Sequence, residues 1–237
     1  MTPSLSFHGY ETESFYDEFF DEAGQPKGEA KILIDRINAL PDYDLQTRQE
    51  AIDRALMRMG ITFAVYGDQQ GSEKIFPFDI VPRIVSAIEW AHVEAGLKQR
   101  IKALNLFIDD IYHDQNILND EIVPRSLLED ATSYRPECKG LNPPHGVWCH
   151  ITGTDLIRHS DGAIYVLEDN LRCPSGVSYV LQNRQVMKRS FPQIFSETKV
   201  RPVIDYPIHL YETLKSLAPE TSDPTIVVLT PGMYNSA

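Results

Sequence analysis

Within residues 153–176 the chain carries Asp155, Arg158, Glu168, Asp169, Asn170, Arg172 and Ser175, set among aliphatic residues. Asp155, Glu168 and Asn170 offer two carboxylates and a carboxamide oxygen. These are hard donors of the kind Mg²⁺ accepts when nucleotide phosphates complete its shell. The guanidiniums of Arg158 and Arg172 can hold a phosphate or carboxylate through forked hydrogen bonds. An acid-x-amide triplet is also what a solvated strand end looks like, and both readings stand on these residues alone.

Such side chains need rigid elements to aim them. Val147–Arg158 and Ala163–Leu167 are rich in β-branched, aromatic and aliphatic residues, with Ser160-Asp161-Gly162 between them, a pattern that predicts a β-hairpin. Regular alternation puts Ile164, Val166, Glu168 and Asn170 on one face and Tyr165, Leu167 and Asp169 on the other. Glu168 and Asn170 then project together. The turn alone does not fix Asp155 opposite Glu168, although a neighbouring strand brings it within reach. Pro174-Ser175-Gly176 ends the extended run, and Ser178 is the expected N-cap of a helix to about Arg189. His145, Trp148, Cys149 and His150 could suggest a transition-metal cluster, but Cys149 and His150 face opposite ways on a strand.

The composition narrows the classes. The 237 residues suffice for one large or two ordinary domains, with apolar content normal for a globular core. A formal charge of −12 without a Lys/Arg cluster argues against a nucleic-acid partner. No apolar run is long enough to span a bilayer, and the start lacks a basic segment followed by an apolar core, so a cytoplasmic protein without membrane attachment is expected. Cys138, Cys149 and Cys173 include no C-x-x-C pair and are expected to be ordinary thiols.

Along the chain, residues 1–40 mix aromatics and acids around a turn-rich Gly24–Gly28 joint and are expected to wrap the body without nucleating it. Leu45, Ile52, Ala55, Leu56 and Met59 recur at helical spacing, Gly60 closes that helix as a left-handed cap, and Ile61–Tyr66 reads as a strand. Gly67-Asp-Gln-Gln-Gly71 reads as a surface turn. A helix is expected from Pro82, with Ile84, Val85, Ile88 and Ala91 as its stripe, interrupted at Gly96 and followed by a second amphipathic helix through Ile111. Asp109 and His113 share a face there, read as a solvated helix end. After Arg189 a short loop and a helix over Tyr206–Leu217 precede Ile226-Val-Val-Leu-Thr-Pro-Gly. That ending looks like the opening of a β-turn-α unit and suggests a piece of a longer polypeptide, the alternative being a terminal strand that completes the existing sheet.

With these residues assembled, the sequence resembles the circularly permuted ATP-grasp proteins of the second type, a group similar to the synthetase domain of glutathionylspermidine synthase. The resemblance rests on Gly60-Ile-Thr-Phe, Ile75–Arg83, Ala103–His113, Gly153-Thr-Asp155-Leu, Val166–Arg172, Pro174–Tyr179, Asn183-Arg184 and Leu229–Ala237, and runs from about Phe15 onward. It implies an α+β fold, ATP-grasp-like and circularly permuted, with a mixed or antiparallel sheet packed with helices and incomplete at the C-terminus. The implied organisation is a wrapping segment (1–40), the permuted portion carrying the hairpin (41–222) and the first strand of a truncated α/β unit (223–237).

The resemblance also implies roles. ATP and Mg²⁺ become the cofactors, Asp155, Glu168 and Asn170 the Mg²⁺ ligands, and Arg158 or Arg172 with Ser175 the groups near the transferred phosphate or substrate carboxylate. The implied reaction passes the γ-phosphoryl group to a carboxylate, after which an amine attacks the acyl phosphate to give an amide. The expected partners are small or peptide-like carboxylates and amines. Permutation places the residues that grip adenine and phosphate after the Ile226 strand, so the chain alone is expected to bind ATP weakly or not at all and to lack ligase activity. A non-catalytic binding or scaffold module of the same fold is the competing reading. A metal-dependent phosphohydrolase would need further His or Asp ligands that the sequence does not supply.

Overall fold

The computed structural model describes residues 7, 10–11, 15–41, 43–64, 73–218 and 220–230. In chain order its elements are α1 (Lys31–Asn38), α2 (Asp44–Arg58), β1 (Thr62–Ala64), β2 (Glu73–Ile75), α3 (Ala87–Tyr112), α4 (Asn116–Asn119), α5 (Arg125–Glu129), β3 (Gly153–Arg158), β4 (Ile164–Asn170), α6 (Val177–Ser190), α7 (Pro192–Thr198) and α8 (Tyr206–Ser216). Among the described residues the strands form two separate antiparallel pairs, β1 with β2 and β3 with β4. The chain is thus mixed helix and strand, with helices predominating.

The core is helical. Leu33, Ile34 and Ile37 recur at the spacing that lines one face of α1, and Leu33 and Ile37 meet Ile52 and Leu56 of α2, Val186 and Met187 of α6, Phe191, and Ile194 of α7. Leu33, Ile37 and Leu56 are essentially inaccessible, and burial of each contributes about 1.5–3 kcal/mol. The expectation that residues 1–40 only wrap the body is therefore corrected: α1 is a core element. Its apolar repeat covers barely two turns, too short to stand out beside the aromatic and acidic run before it.

The close of α2 follows the expected cap. Gly60 has φ +68°, its N–H donates to the Met57 carbonyl at 3.0 Å, and the Ile61 N–H donates to the Leu56 carbonyl at 2.9 Å.

Other expectations are corrected. α3 is one continuous helix, since a single interior glycine costs only about 1 kcal/mol and leaves the hydrogen-bond ladder whole. It starts at Ala87, not Pro82, because Ser86 caps it by accepting from the Glu89 N–H at 3.2 Å; Ile84 and Val85 lie before it, and Ile88 is exposed. Val147–Thr152 is loop, held by Asn105 Oδ1, which accepts from the Trp148 and Cys149 N–H groups at 2.8 and 2.9 Å. The N-cap of α6 is Gly176, with φ +96°, and Ser178 falls inside the helix. The expected loop after Arg189 contains α7, with Pro192 in its first turn.

Residues 226–229 belong to no strand among those described, and Val227, Val228 and Leu229 are 72%, 87% and 94% exposed. An apolar run becomes a strand only against a partner ladder. The Gly67–Gly71 turn and Pro231–Ala237 lie outside the described residues.

Candidate functional site

The β3–β4 hairpin turns at residues 159–163. Gly162 N–H donates to the His159 carbonyl, His159 N–H donates to the Ala163 carbonyl, both at 2.9 Å, and Asp161 Oδ1 accepts from the Ala163 N–H at 2.8 Å. Gly162 sits at φ +86°, and a Cβ there would lie 2.6 Å from Cε2 of Tyr16. Both facts call for glycine.

A β-bulge decides where the polar side chains point. The register pairs Leu156 with Val166 and Asp155 with Glu168, leaving Leu167 as an extra residue on β4. Leu156, Ile164 and Val166 border α3, whereas Tyr165 and Leu167 are exposed. Past the bulge the phase of β4 reverses. Asp169 faces α3, and Glu168 swings to the outer face opposite Asp155. The expectation that Glu168 and Asn170 share a face with Ile164 and Val166 is corrected on this ground: the alternation assumed an unbroken ladder.

On that outer face Asn170 Nδ2 donates to Asp155 Oδ2 at 3.2 Å and to Glu168 Oε1 at 3.1 Å. Two like charges directly opposite each other in an antiparallel pair repel, and the amide between them relieves part of that repulsion. Among the described residues no group of three or more His, Cys, Asp or Glu side chains is gathered to hold a metal. The gathering here is two carboxylates and an amide.

Charges clamp the hairpin onto α3. Asp169 Oδ2 pairs with Arg100 Nε at 2.7 Å, and Asp169 Oδ1 accepts from the Thr154 hydroxyl at 3.0 Å. At the turn end Arg158 Nη1 donates to Glu89 at 2.7 Å and to the Gly162 carbonyl at 2.8 Å, and Arg158 Nε donates to Glu18 at 3.0 Å. Glu89 and Arg100 lie about three turns apart and so share one face of α3. Arg158 also lies 4.7 Å from the centre of the Tyr16 ring. Its guanidinium is held even more firmly protonated than usual, first by Glu89 and then by Glu18. Glu18 also accepts from Arg83, whose hydrogen bond is the largest influence lowering its carboxyl below the usual range.

The structure therefore brings Asp155, Glu168 and Asn170 together and separates Arg158 from them. Arg158 faces α3 with its side chain 7% exposed and three of its five N–H donors committed to Glu18, Glu89 and the Gly162 carbonyl. Arg172 and Ser175 lie on the exposed connection from β4 to α6, and neither is paired among the described residues. That connection runs against the start of β3: a Cβ on Gly153 would approach Pro174 Cβ to 3.2 Å.

Residues missed by the sequence reading are those that orient the hairpin, namely Tyr16, Glu18, Glu89 and Arg100. The only local signal was acid and base at helical spacing on α3. Residues of the other motifs make local contacts. Asp109 Oδ1 accepts from the Trp148 indole at 2.9 Å, His145 Nε2 lies 3.0 Å from the Ser216 carbonyl, and burial pushes the Cys149 thiol up, keeping it protonated. No helix among the described residues is long and apolar enough to cross a membrane.

Comparison with known proteins fits this site into a family. The sequence model for circularly permuted ATP-grasp type 2 proteins matches residues 82–237, a range that includes the whole hairpin. An uncharacterized protein of Synechocystis sp. is 52% identical over 234 residues, covering 98% of this chain and 49% of that protein. An uncharacterized Mycobacterium tuberculosis protein is 46% identical over 236 residues, covering 98% of this chain and 42% of that protein. A Frankia casuarinae protein named "Putative glutamate--cysteine ligase 2-2" is 34% identical over 224 residues, covering 94% of this chain and 26% of that protein. The chain belongs to the circularly permuted ATP-grasp type 2 family. It spans about half or less of the length of these relatives.

Proposed function

We propose that this chain carries the metal and phosphate site of an ATP-dependent carboxylate–amine ligase, with Asp155, Glu168 and Asn170 as the Mg²⁺ ligands. The observation that carries this reading is the convergence of those three side chains on the outer face of a bulged hairpin. The donor set fits the ion. Two carboxylates and an amide oxygen suit Mg²⁺, which keeps open positions for phosphate oxygens and water. Asn170 would turn its oxygen toward the ion, and the cation would take over the shielding that its amide nitrogen now provides.

Bound Mg²⁺ would neutralise charge on the nucleotide's phosphates. The chain's own residues orient and donate. Asp155 and Glu168 hold one side of the site from adjacent strands. We assign to Arg172 and Ser175, both exposed on the connection from β4 to α6, the donation to a phosphate or to the carboxylate being activated. Arg158, Glu18 and Glu89 fix the hairpin against α3, so Arg158 acts by positioning and not by contact. The reaction we assign is phosphorylation of a carboxylate by ATP, followed by attack of an amine on the acyl phosphate. The names of the Frankia relatives favour amino-acid-like acid and amine substrates.

The test is release of ADP and phosphate on adding ATP, Mg²⁺ and panels of amino acids and amines. It is run on this chain and on the Synechocystis relative, which is about twice as long. Release by the relative that requires both acid and amine, and that Glu168→Gln at the matching position abolishes, supports the reading. Release with ATP alone, or unchanged release in that variant, contradicts it.

A further inference from the structure

A groove of about 440 Å³ lies between α6, α7 and the segment after α7, and no residue of the hairpin lines it. Its walls are largely apolar, with Leu181, Phe195, Pro202 and Ile204 among them, and its charged members are Arg184 and Lys188. The chain has 34 acidic against 22 basic residues, yet no acid lines this groove. Arg184 and Lys188 are four residues apart on α6 and so share a face.

Neither cation has an anionic partner among the described residues. Arg184 donates to the Arg201 carbonyl and lies 5.9 Å from the centre of the Phe195 ring. Burial lowers its pKa from the ordinary guanidinium value. A guanidinium has five N–H donors, and one backbone carbonyl uses only one of them. Glu197, next in sequence to the groove residue Ser196, is engaged by Arg36, and Glu94 is engaged by Lys98 and Arg201. Half-buried positive charge with spare donors, set in apolar walls, complements an anion on an apolar body.

We propose that this groove binds a small molecule bearing a carboxylate on an apolar body, with Arg184 and Lys188 gripping the carboxylate and the Phe195–Ile204 walls covering the rest. The site is separate from the metal and phosphate site and does not depend on the ligase reading.

The test is titration of the intact chain with 4-phenylbutyrate, octanoate and N-acetylphenylalanine, followed by backbone amide NMR. 4-Phenylbutyramide and inorganic phosphate are the neutral and apolar-free controls. The expected result is saturable shifts on α6, α7 and residues 200–204, with the carboxylates binding about tenfold or more tightly than the amide or phosphate. Arg184→Gln should weaken binding by about tenfold or more, and the exposed Lys188→Gln, which leaves the fold untouched, by several-fold. Equal binding of amide and carboxylate overturns the proposal. So does phosphate binding as well as the carboxylates, affinity unchanged in both variants, or no saturable binding by any of the three acids up to about 10 mM, a concentration well above the Kd expected of a salt-bridged small ligand.

Discussion

Replacing Arg158 by Gln removes a guanidinium from between Glu18 and Glu89 and leaves a neutral side chain in its place. The side chains of Arg158, Glu18 and Glu89 are 7%, 10% and 29% exposed, so two carboxylates lose a partner in a partly dry setting. Breaking a buried ion pair from one side costs about 3–5 kcal/mol. Glu18 keeps Arg83 and Glu89 can turn toward water, which reduces that cost to about 2–3 kcal/mol. Loss of the stacking of Arg158 on Tyr16 adds about 0.5–1 kcal/mol. Urea unfolding followed by Trp fluorescence should therefore show Arg158→Gln less stable by about 2.5–4 kcal/mol at neutral pH.

The pH dependence has a fixed sign. Glu18's carboxyl is depressed from its ordinary 4.5, so its contribution is complete above that value and is lost as the pH falls through the lower folded value. The gap between wild type and Arg158→Gln should then narrow in acid. A variant within about 0.5 kcal/mol of wild type at neutral pH would refute the positioning role, as would a gap that does not change on acidification.

Gly162→Ala should destabilise the chain by about 2–4 kcal/mol, from left-handed backbone strain and collision with the Tyr16 ring, and thermal unfolding would detect it. Gly96→Ala should do the opposite: nothing lies within 4 Å of the added methyl on this helical residue, so stability should rise by about 0.5–1 kcal/mol in the same assay. Ser86→Ala removes the cap of α3 and should cost about 1 kcal/mol in urea unfolding. Glu168→Gln should leave circular dichroism and unfolding midpoint nearly unchanged, because Glu168 is exposed and among the described residues its side chain accepts only from Asn170, while reducing divalent-cation binding by about tenfold or more.

What could be read from the sequence was what local chemistry decides. The cap at Gly60 and the extents of α2 and α8 follow from residues a few positions apart, as does the Ser160-Asp161-Gly162 turn. The bulge at Leu167 was not legible, because an extra strand residue leaves composition unchanged and is fixed only by the partner strand and by α3. That Asp155, Glu168 and Asn170 lie close together was anticipated from residue type, whereas the alternation that put Glu168 and Asn170 on the face of Ile164 and Val166 does not survive the bulge. The packing of Arg158 was not legible for a different reason: its partner Glu18 stands 140 residues earlier in the chain. The core role of α1 was hidden in the same way, since its partners lie on α2, α6 and α7.

Paramagnetic broadening by Mn²⁺ in the presence of ATP tests the central claim most directly, because it reports where a divalent ion sits without requiring turnover. At substoichiometric Mn²⁺ the account predicts selective loss of amide signals at residues 153–156 and 167–171, abolished by Asp155→Asn or Glu168→Gln and competed by Mg²⁺. Broadening centred elsewhere on this acidic surface, or the same pattern in both variants, would contradict it.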